Sequence, residues 1–277
     1  MPSDQILYEN QILLDQAGRT ADNIDRVAPT RRPNGRPVMR QQWRDLLFLH
    51  WKVPVAMLRP LVPAALEIDT FEGEAYIGLV PFTMRNVRPV WSPPFPLLSN
   101  FHEVNVRTYV YHRGCNPGVW FFSLDAANRI AVQIARILWR LPYYFASIEL
   151  TKSASEAGQS QIQYNSHRRF PQPVPAVCAI DYTTIGTPLP APVGTLEHFL
   201  AERYLLYAAR SERLFCGQVH HLPYPLQTAE IHSLTETLVF ASGIRPPAVP
   251  PIVHYASGVD VEIFPLQQIG MEEKIEL

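Results

Sequence analysis

Apolar positions along this chain fall in short blocks rather than long stripes. Leu46-Leu47-Phe48-Leu49-His50-Trp51 is an apolar run of strand length. Leu66 to Phe71 and Ala75 to Val80 flank Glu72-Gly73-Glu74, and a glycine in so short a link predicts an antiparallel hairpin. From Glu103 to Tyr111 the chain alternates. Glu103, Asn105, Arg107, Tyr109 and Tyr111 share one face of a strand, and Val104, Val106, Thr108 and Val110 share the other. A turn at Gly114, Asn116, Pro117 and Gly118 leads to Val119 to Leu124, which is almost wholly apolar and predicts a central strand. Further strands are expected near Ala146 to Thr151, Gln161 to Ser166, Val177 to Thr184, Phe215 to His220, Leu238 to Ala241 and Val259 to Phe264.

Helical spacing appears in two places. Asp125 is placed to cap a helix running to about Arg140, with Ile130, Ile134, Ile137, Leu138 and Leu141 as its apolar stripe. Beside that stripe lies a cationic seam of Arg129, Gln133, Arg136 and Arg140. Pro142 stops the helix and leads into Tyr143-Tyr144-Phe145. A second helix is expected from a Thr195 cap to about Arg210, and its stripe of Leu196, Phe199, Leu200, Arg203, Tyr204 and Tyr207 turns an arginine inward. Pro89, Pro93, Pro94 and Pro96 with Trp91 and Phe95 make residues 85–100 a rigid aromatic loop that either packs on the core or covers a ligand. Residues 1–40 read as an N-terminal arm, flexible or packed on a partner, with Arg26, Arg31, Arg32, Arg36 and Arg40 in its loop. With no composition shift or repeat after that, residues 41–277 read as one α+β domain, mostly antiparallel.

Composition narrows the class. Charged residues are 18% and apolar residues 47%, a balance for a packed core rather than a disordered chain. The 27 prolines cut the chain into short elements joined by fixed turns. A net charge of -1 gives no field for nucleic acid or anionic membrane, so neither is an expected partner. Cys115, Cys178 and Cys216 are scattered and odd in number, which suits a reducing cytoplasm. No apolar run approaches the roughly 20 residues of a membrane helix, and the first residues lack a signal-peptide layout. The chain holds no G-x-G-x-x-G, Walker loop or G-x-S-x-G. None of the nine histidines has metal-ligand spacing, so neither a metal nor a cofactor is expected.

Several segments carry a resemblance: Phe48-Leu49-His50-Trp51-Lys52-Val53-Pro54, Phe101 to Tyr109, Gly118 to Asp125, Leu141-Pro142-Tyr143 and Phe199 to Tyr204. In this order they resemble the YqjF-like family of uncharacterised bacterial proteins, a domain of unknown function grouped with acetoacetate decarboxylase-like folds. The resemblance implies a barrel-like β-sheet core flanked by a few helices, leaves room for a homo-oligomer, and lies over residues 43 to 265. In the decarboxylases the helix runs into Gly-Phe-Pro-Lys-Lys, where one lysine forms a Schiff base with the ketone and its neighbour lowers that lysine's pKa. The corresponding segment here is Arg140-Leu141-Pro142-Tyr143-Tyr144, with tyrosine at both lysine positions. Only Lys52, Lys152 and Lys274 remain in the chain, and arginine cannot readily lose the proton that imine chemistry requires. Schiff-base decarboxylation is disfavoured on these grounds.

The same resemblance implies that the family's acidic pocket residue survives as Glu103. A ligand site is expected from Glu103, Asn105, Arg107, Arg136, Tyr143, Arg203 and Tyr204, with Trp51 or Trp120 as an apolar wall. Three readings stay open for these residues. Carboxylates pair internally with the arginines in a structural network, an arginine is left to hold a small carboxylate or carbonyl compound, or Glu103 and Tyr143 act as base and acid on a small keto acid or lactone.

Overall fold

The computed structural model describes residues 24–154, 160–170, 176–210 and 213–269. Strands dominate. In chain order they are β1 (Met39–Val53), β2 (Glu67–Ile68), β3 (Ala75–Pro89), β4 (Phe101–His112), β5 (Cys115–Ala126), β6 (Tyr143–Ala154), β7 (Ser160–Phe170) and β8 (Val177–Leu189). Then come β9 (Leu205–Arg210), β10 (Arg213–His220), β11 (Leu226–Glu236), β12 (Ile252–Ile263) and β13 (Gln267–Ile269). The α-helices are few and short: α1 (Val55–Leu58), α2 (Arg129–Leu138), α3 (Leu196–Ala201) and α4 (Leu238–Ala241). Among the described residues no helix is long and apolar enough to cross a membrane.

The strands form one sheet that closes on itself twice. The order β5-β6-β7-β8-β11-β12-β1-β3-β4 returns to its start because β4 pairs with β5. A second closure runs from β12 through β10 and β9 to β5. The two closed ladders share β5, β4, β3, β1 and β12. All pairings are antiparallel except those of β5 with β6 and with β9. A shared strand must bury both faces, which is why β1, β3 and β4 carry near-continuous buried runs. The inner face of one ladder gathers Leu47, Leu49, Ile77, Leu79, Val104 and Val106. The other gathers Phe48, Val80, Phe82, Tyr204, Tyr224 and Val261. On β4 the alternation therefore turns Val104 and Val106 into the first core and Glu103, Asn105 and Arg107 towards the second.

Several expected elements are corrected. Leu66 to Phe71 does not form a hairpin with β3: Glu67 and Ile68 pair with Tyr111 and Val110 of β4, leaving a lone Phe71–Glu74 bridge. Arg113 and Gly114, both at positive φ, make the tight turn between β4 and β5, and Asn116 to Gly118 belong to β5. Asp125 is not a helix cap. It ends in β5 with its carboxylate held by Arg168 at 2.7 and 2.8 Å, and Asn128 caps α2 by accepting the Ile130 and Ala131 amides. Thr195 does cap a helix, accepting the His198 amide, but α3 ends at Ala201 and residues 205–210 are strand β9. Leu238–Ala241 is a short helix, not a strand, because the Glu236 carboxylate accepts the Val239 amide and starts a turn.

The apolar stripe of α2 faces outward. Ile130, Ile134, Ile137 and Leu138 are 58%, 46%, 69% and 64% exposed, while Val132 is 1% exposed. Residues 24–38 lie against the domain: Arg26 pairs with Asp69 at 2.5 Å, Arg32 with Glu262 at 2.6 Å, and Gln218 donates to the Pro29 carbonyl.

Candidate functional site

Glu103 sits in the middle of the shared sheet, opposite Phe82 of β3 and Ala126 of β5, and is 1% exposed. Tyr143 is the first residue of β6, in register with Leu124, which in turn lies opposite Asn105. Lateral neighbours in a sheet share a face, so Tyr143 stands one pleat from Glu103 on the same side. Pro142 enforces the approach, since its carbonyl accepts the Leu124 amide and starts the parallel ladder at Tyr143. The Tyr143 hydroxyl lies close enough to the Glu103 carboxyl to favour its ionised form. The other carboxyl oxygen, Oε2, is buried without a partner.

Burial pushes the Glu103 carboxyl up to about 8, the Asp125 charge adds to the push, and the Tyr143 hydrogen bond opposes both. At neutral pH Glu103 is therefore a neutral acid. Burial and the nearby Glu103 likewise raise the Tyr143 phenol well above its ordinary range, so it remains a donor. The pair can present two neutral hydrogen-bond donors to a ligand oxygen that displaces the Tyr143–Glu103 contact, since a protonated carboxyl carries an O–H.

A cleft of ≈ 500 Å³ reaches Tyr143 from outside, while Glu103 is buried behind it and is not among the lining residues. Met84, Phe101 and Tyr143 line one side, and Ile134 and Leu138 of α2, Trp139 just after it and Phe95 of the aromatic segment line the rest. Phe101 is the residue before Glu103 on the same face of β4, so the cleft ends one pleat from the carboxyl. Arg88 is the only cation among its described lining residues. Sequence alone did not indicate Arg88, because it sits in a stretch with Arg85 where no periodicity marks either one.

The expected residues do not all converge. Asn105 joins Glu103 on β4, buried, with an unpartnered Oδ1. Arg107 is buried a further pleat in. It donates to the Leu200 carbonyl at 3.2 Å and lies over the Phe48 and Tyr109 rings, with no carboxylate in ion-pair range among the described residues. Arg203 is committed elsewhere, bonded to Asp69 at 2.7 Å and to the Phe199 carbonyl at 2.8 Å. Tyr204 donates to Glu202 at 2.7 Å and stacks on His221 at 4.4 Å. Arg136 lies on the solvent side of α2, in a separate depression that also holds Trp120. Trp51 belongs to the first core, where its indole donates to the Val249 carbonyl.

Neither described lysine is near Glu103. Lys52 is 56% exposed beside Glu74, and Lys152 pairs with Asp45 at 2.8 Å. Lys274 lies outside the described residues. Among the described residues no cluster of three or more His, Cys, Asp or Glu is set to hold a metal ion.

Comparisons with known proteins agree with this geometry at the level of fold. The chain is 40% identical over 236 residues to the uncharacterized protein YqjF of Bacillus subtilis (strain 168), covering 85% of this chain and 94% of that one. Among solved structures, the enduracididine biosynthesis enzyme MppR complexed with pyruvate superposes with a TM-score of 0.59 at 11% identity, covering 86% of this chain and 93% of that one. Acetoacetate decarboxylase from Legionella pneumophila gives a TM-score of 0.57 at 12% identity, covering 87% and 91%. Residues 40–260 match the model of DUF2071, described as an uncharacterized conserved protein, and the chain belongs to that family.

Proposed function

We propose that this chain binds a small carbonyl compound or keto acid in the Tyr143–Glu103 cleft without forming an imine. The observation that carries the reading is Glu103 itself: a neutral carboxyl beside a tyrosine hydroxyl, with one oxygen unpartnered, buried behind the cleft that Tyr143 lines. Two neutral donors that share a low-dielectric site suit a carbonyl oxygen, and they suit an enolate oxygen better, because the negative charge that develops there strengthens both bonds. The doubly closed sheet serves as a barrel-like cup, with α2 and the aromatic segment over its mouth. Arg88, the only cation among the described lining residues, is the natural partner for a carboxylate on the same molecule. MppR, a protein of similar fold, is known complexed with pyruvate, which supports a keto-acid ligand.

The arginine clamp expected from sequence is not part of this reading, since Arg203 is paired with Asp69 and Arg136 lines the separate depression. A lysine-independent enzyme is the second reading, favoured by the raised Glu103 pKa: above pH 8 the carboxylate can take a proton from carbon while Tyr143 donates to oxygen. Calorimetric titration with a panel of 2-keto acids and ketones tests the binding. Glu103→Gln, which stays neutral, should keep affinity within a few-fold, and Tyr143→Phe should lose about tenfold, the worth of one hydrogen bond of ~1.4 kcal/mol. Undiminished affinity in both Tyr143→Phe and Glu103→Ala would refute the site. If the protein is an enzyme, turnover should vanish in Glu103→Gln while binding persists. Borohydride reduction with acetoacetate should leave no adduct on Lys52 or Lys152.

A further inference from the structure

The second depression, on the far side of Tyr143, has a chemistry of its own. It measures ≈ 510 Å³, and its lining includes Arg136, Arg140 and Arg210 with no carboxylate among the described lining residues. None of the three forms an ion pair with a described residue. Arg136 reaches only the Tyr143 carbonyl, at 3.4 Å. Arg140 is held over the Phe215 ring at 4.1 Å on a backbone at φ 57, a left-handed conformation that costs a non-glycine residue of the order of 1 kcal/mol. Three cations on one concave surface repel each other, and no ion pair with a described residue relieves that repulsion.

The floor is a break in the sheet. β9 pairs with β5 only at Val119 and Trp120, and β6 only from Leu124 to Ala126. Between them Phe121 to Ser123 has no strand on that edge, and Phe122 is the bulged residue that Arg107 and Val106 skip over in β4. The gap leaves Trp120, Phe122 and Tyr144 among the lining residues, with the Arg168 guanidinium over the Tyr144 ring at 3.8 Å. Guanidinium groups favour planar, bidentate anions, and aromatic walls favour a flat ring.

We propose that this depression is a separate binding site for a planar polyanion, an aromatic ring carrying two or more negative charges. Its charge and shape do not depend on the chemistry assigned to Glu103. The probe is benzene-1,3,5-tricarboxylate, with the neutral benzene-1,3,5-trimethanol as the control of equal shape. Titration of the full chain should show saturable binding of the tricarboxylate with quenching of Trp120 fluorescence, lost in Trp120→Phe, and no binding of the triol. Arg136→Gln combined with Arg140→Gln should weaken binding at least tenfold, while Arg85→Gln, an exposed charge elsewhere on the surface, should leave it within twofold. If the double variant loses its native melting transition, Arg210→Gln alone, at the exposed end of β9, is read instead and should weaken binding severalfold. Equal losses in the Arg85 variant, equal binding of the triol, or no saturation would overturn the proposal.

Discussion

At the residue scale, Glu103 sets the electrostatics of the site. In the unfolded chain its carboxyl ionises near 4.5, and in the folded chain it holds its proton to about 8. Between those values the folded state binds more protons than the unfolded one, so Glu103 lowers stability as pH rises through that window. Glu103→Gln removes the ionising group. Its stability should exceed that of the parent by roughly 4 kcal/mol at pH 8, with the difference shrinking to a few tenths by pH 4.5. Chemical denaturation of both proteins at several pH values measures this. A variant less stable than the parent at pH 8 would mean that Glu103 is ionised and paired. Tyr143 was legible in sequence from Pro142 and the length of the preceding helix. The fate of the arginines was not, because Asp69, the carboxylate that captures Arg26 and Arg203, lies over a hundred positions from Arg203 in the chain.

At the element scale, α2 shows where periodicity misleads. Its isoleucines recur at helical spacing, yet Ile137 is 69% exposed and the buried residue is Val132. Spacing locates the apolar face but does not say whether anything covers it. Ile137→Gln should therefore shift stability by no more than about 0.5 kcal/mol, the usual range for a surface site. Val132→Ala should cost about 1–2 kcal/mol by opening a cavity. Urea melts of the two variants decide between this packing and one in which the isoleucine stripe is core. The second expected helix begins at its Thr195 cap but stops at Ala201, for a different reason. Leu205 and Tyr207 fit a helical stripe and also the alternation of a strand, and a partner edge on β5 and β10 decided the matter in favour of β9.

At the scale of the whole molecule, the double closure makes some strands common to both ladders. Opening β1, β3 or β4 disrupts both cores, whereas the β7–β8 pair belongs to one ladder only. Amide exchange should be slowest at Leu47 to Leu49, Leu79 to Val80 and Val104 to Val106, with protection near the global unfolding free energy, and markedly faster in β7 and β13. Equal or greater protection in β7 would contradict the shared-strand account. Strand composition was readable from the alternating and continuous apolar runs, and β4 and β10 fell where those runs placed them. Closure was not readable, because the parallel β5–β6 and β5–β9 pairings join segments that no local signal links.

The most direct test of an imine-free pocket built on a neutral acid is the titration of the Glu103 carboxyl itself. Carbon-13 NMR of glutamate-labelled protein, with the resonance assigned by its loss in Glu103→Gln, reads the midpoint without a ligand. A midpoint near 8 is expected, moving higher in Tyr143→Phe because the hydroxyl that favours the ionised form is gone. A midpoint near the ordinary 4.5 would show a charged, solvated carboxylate and contradict the account.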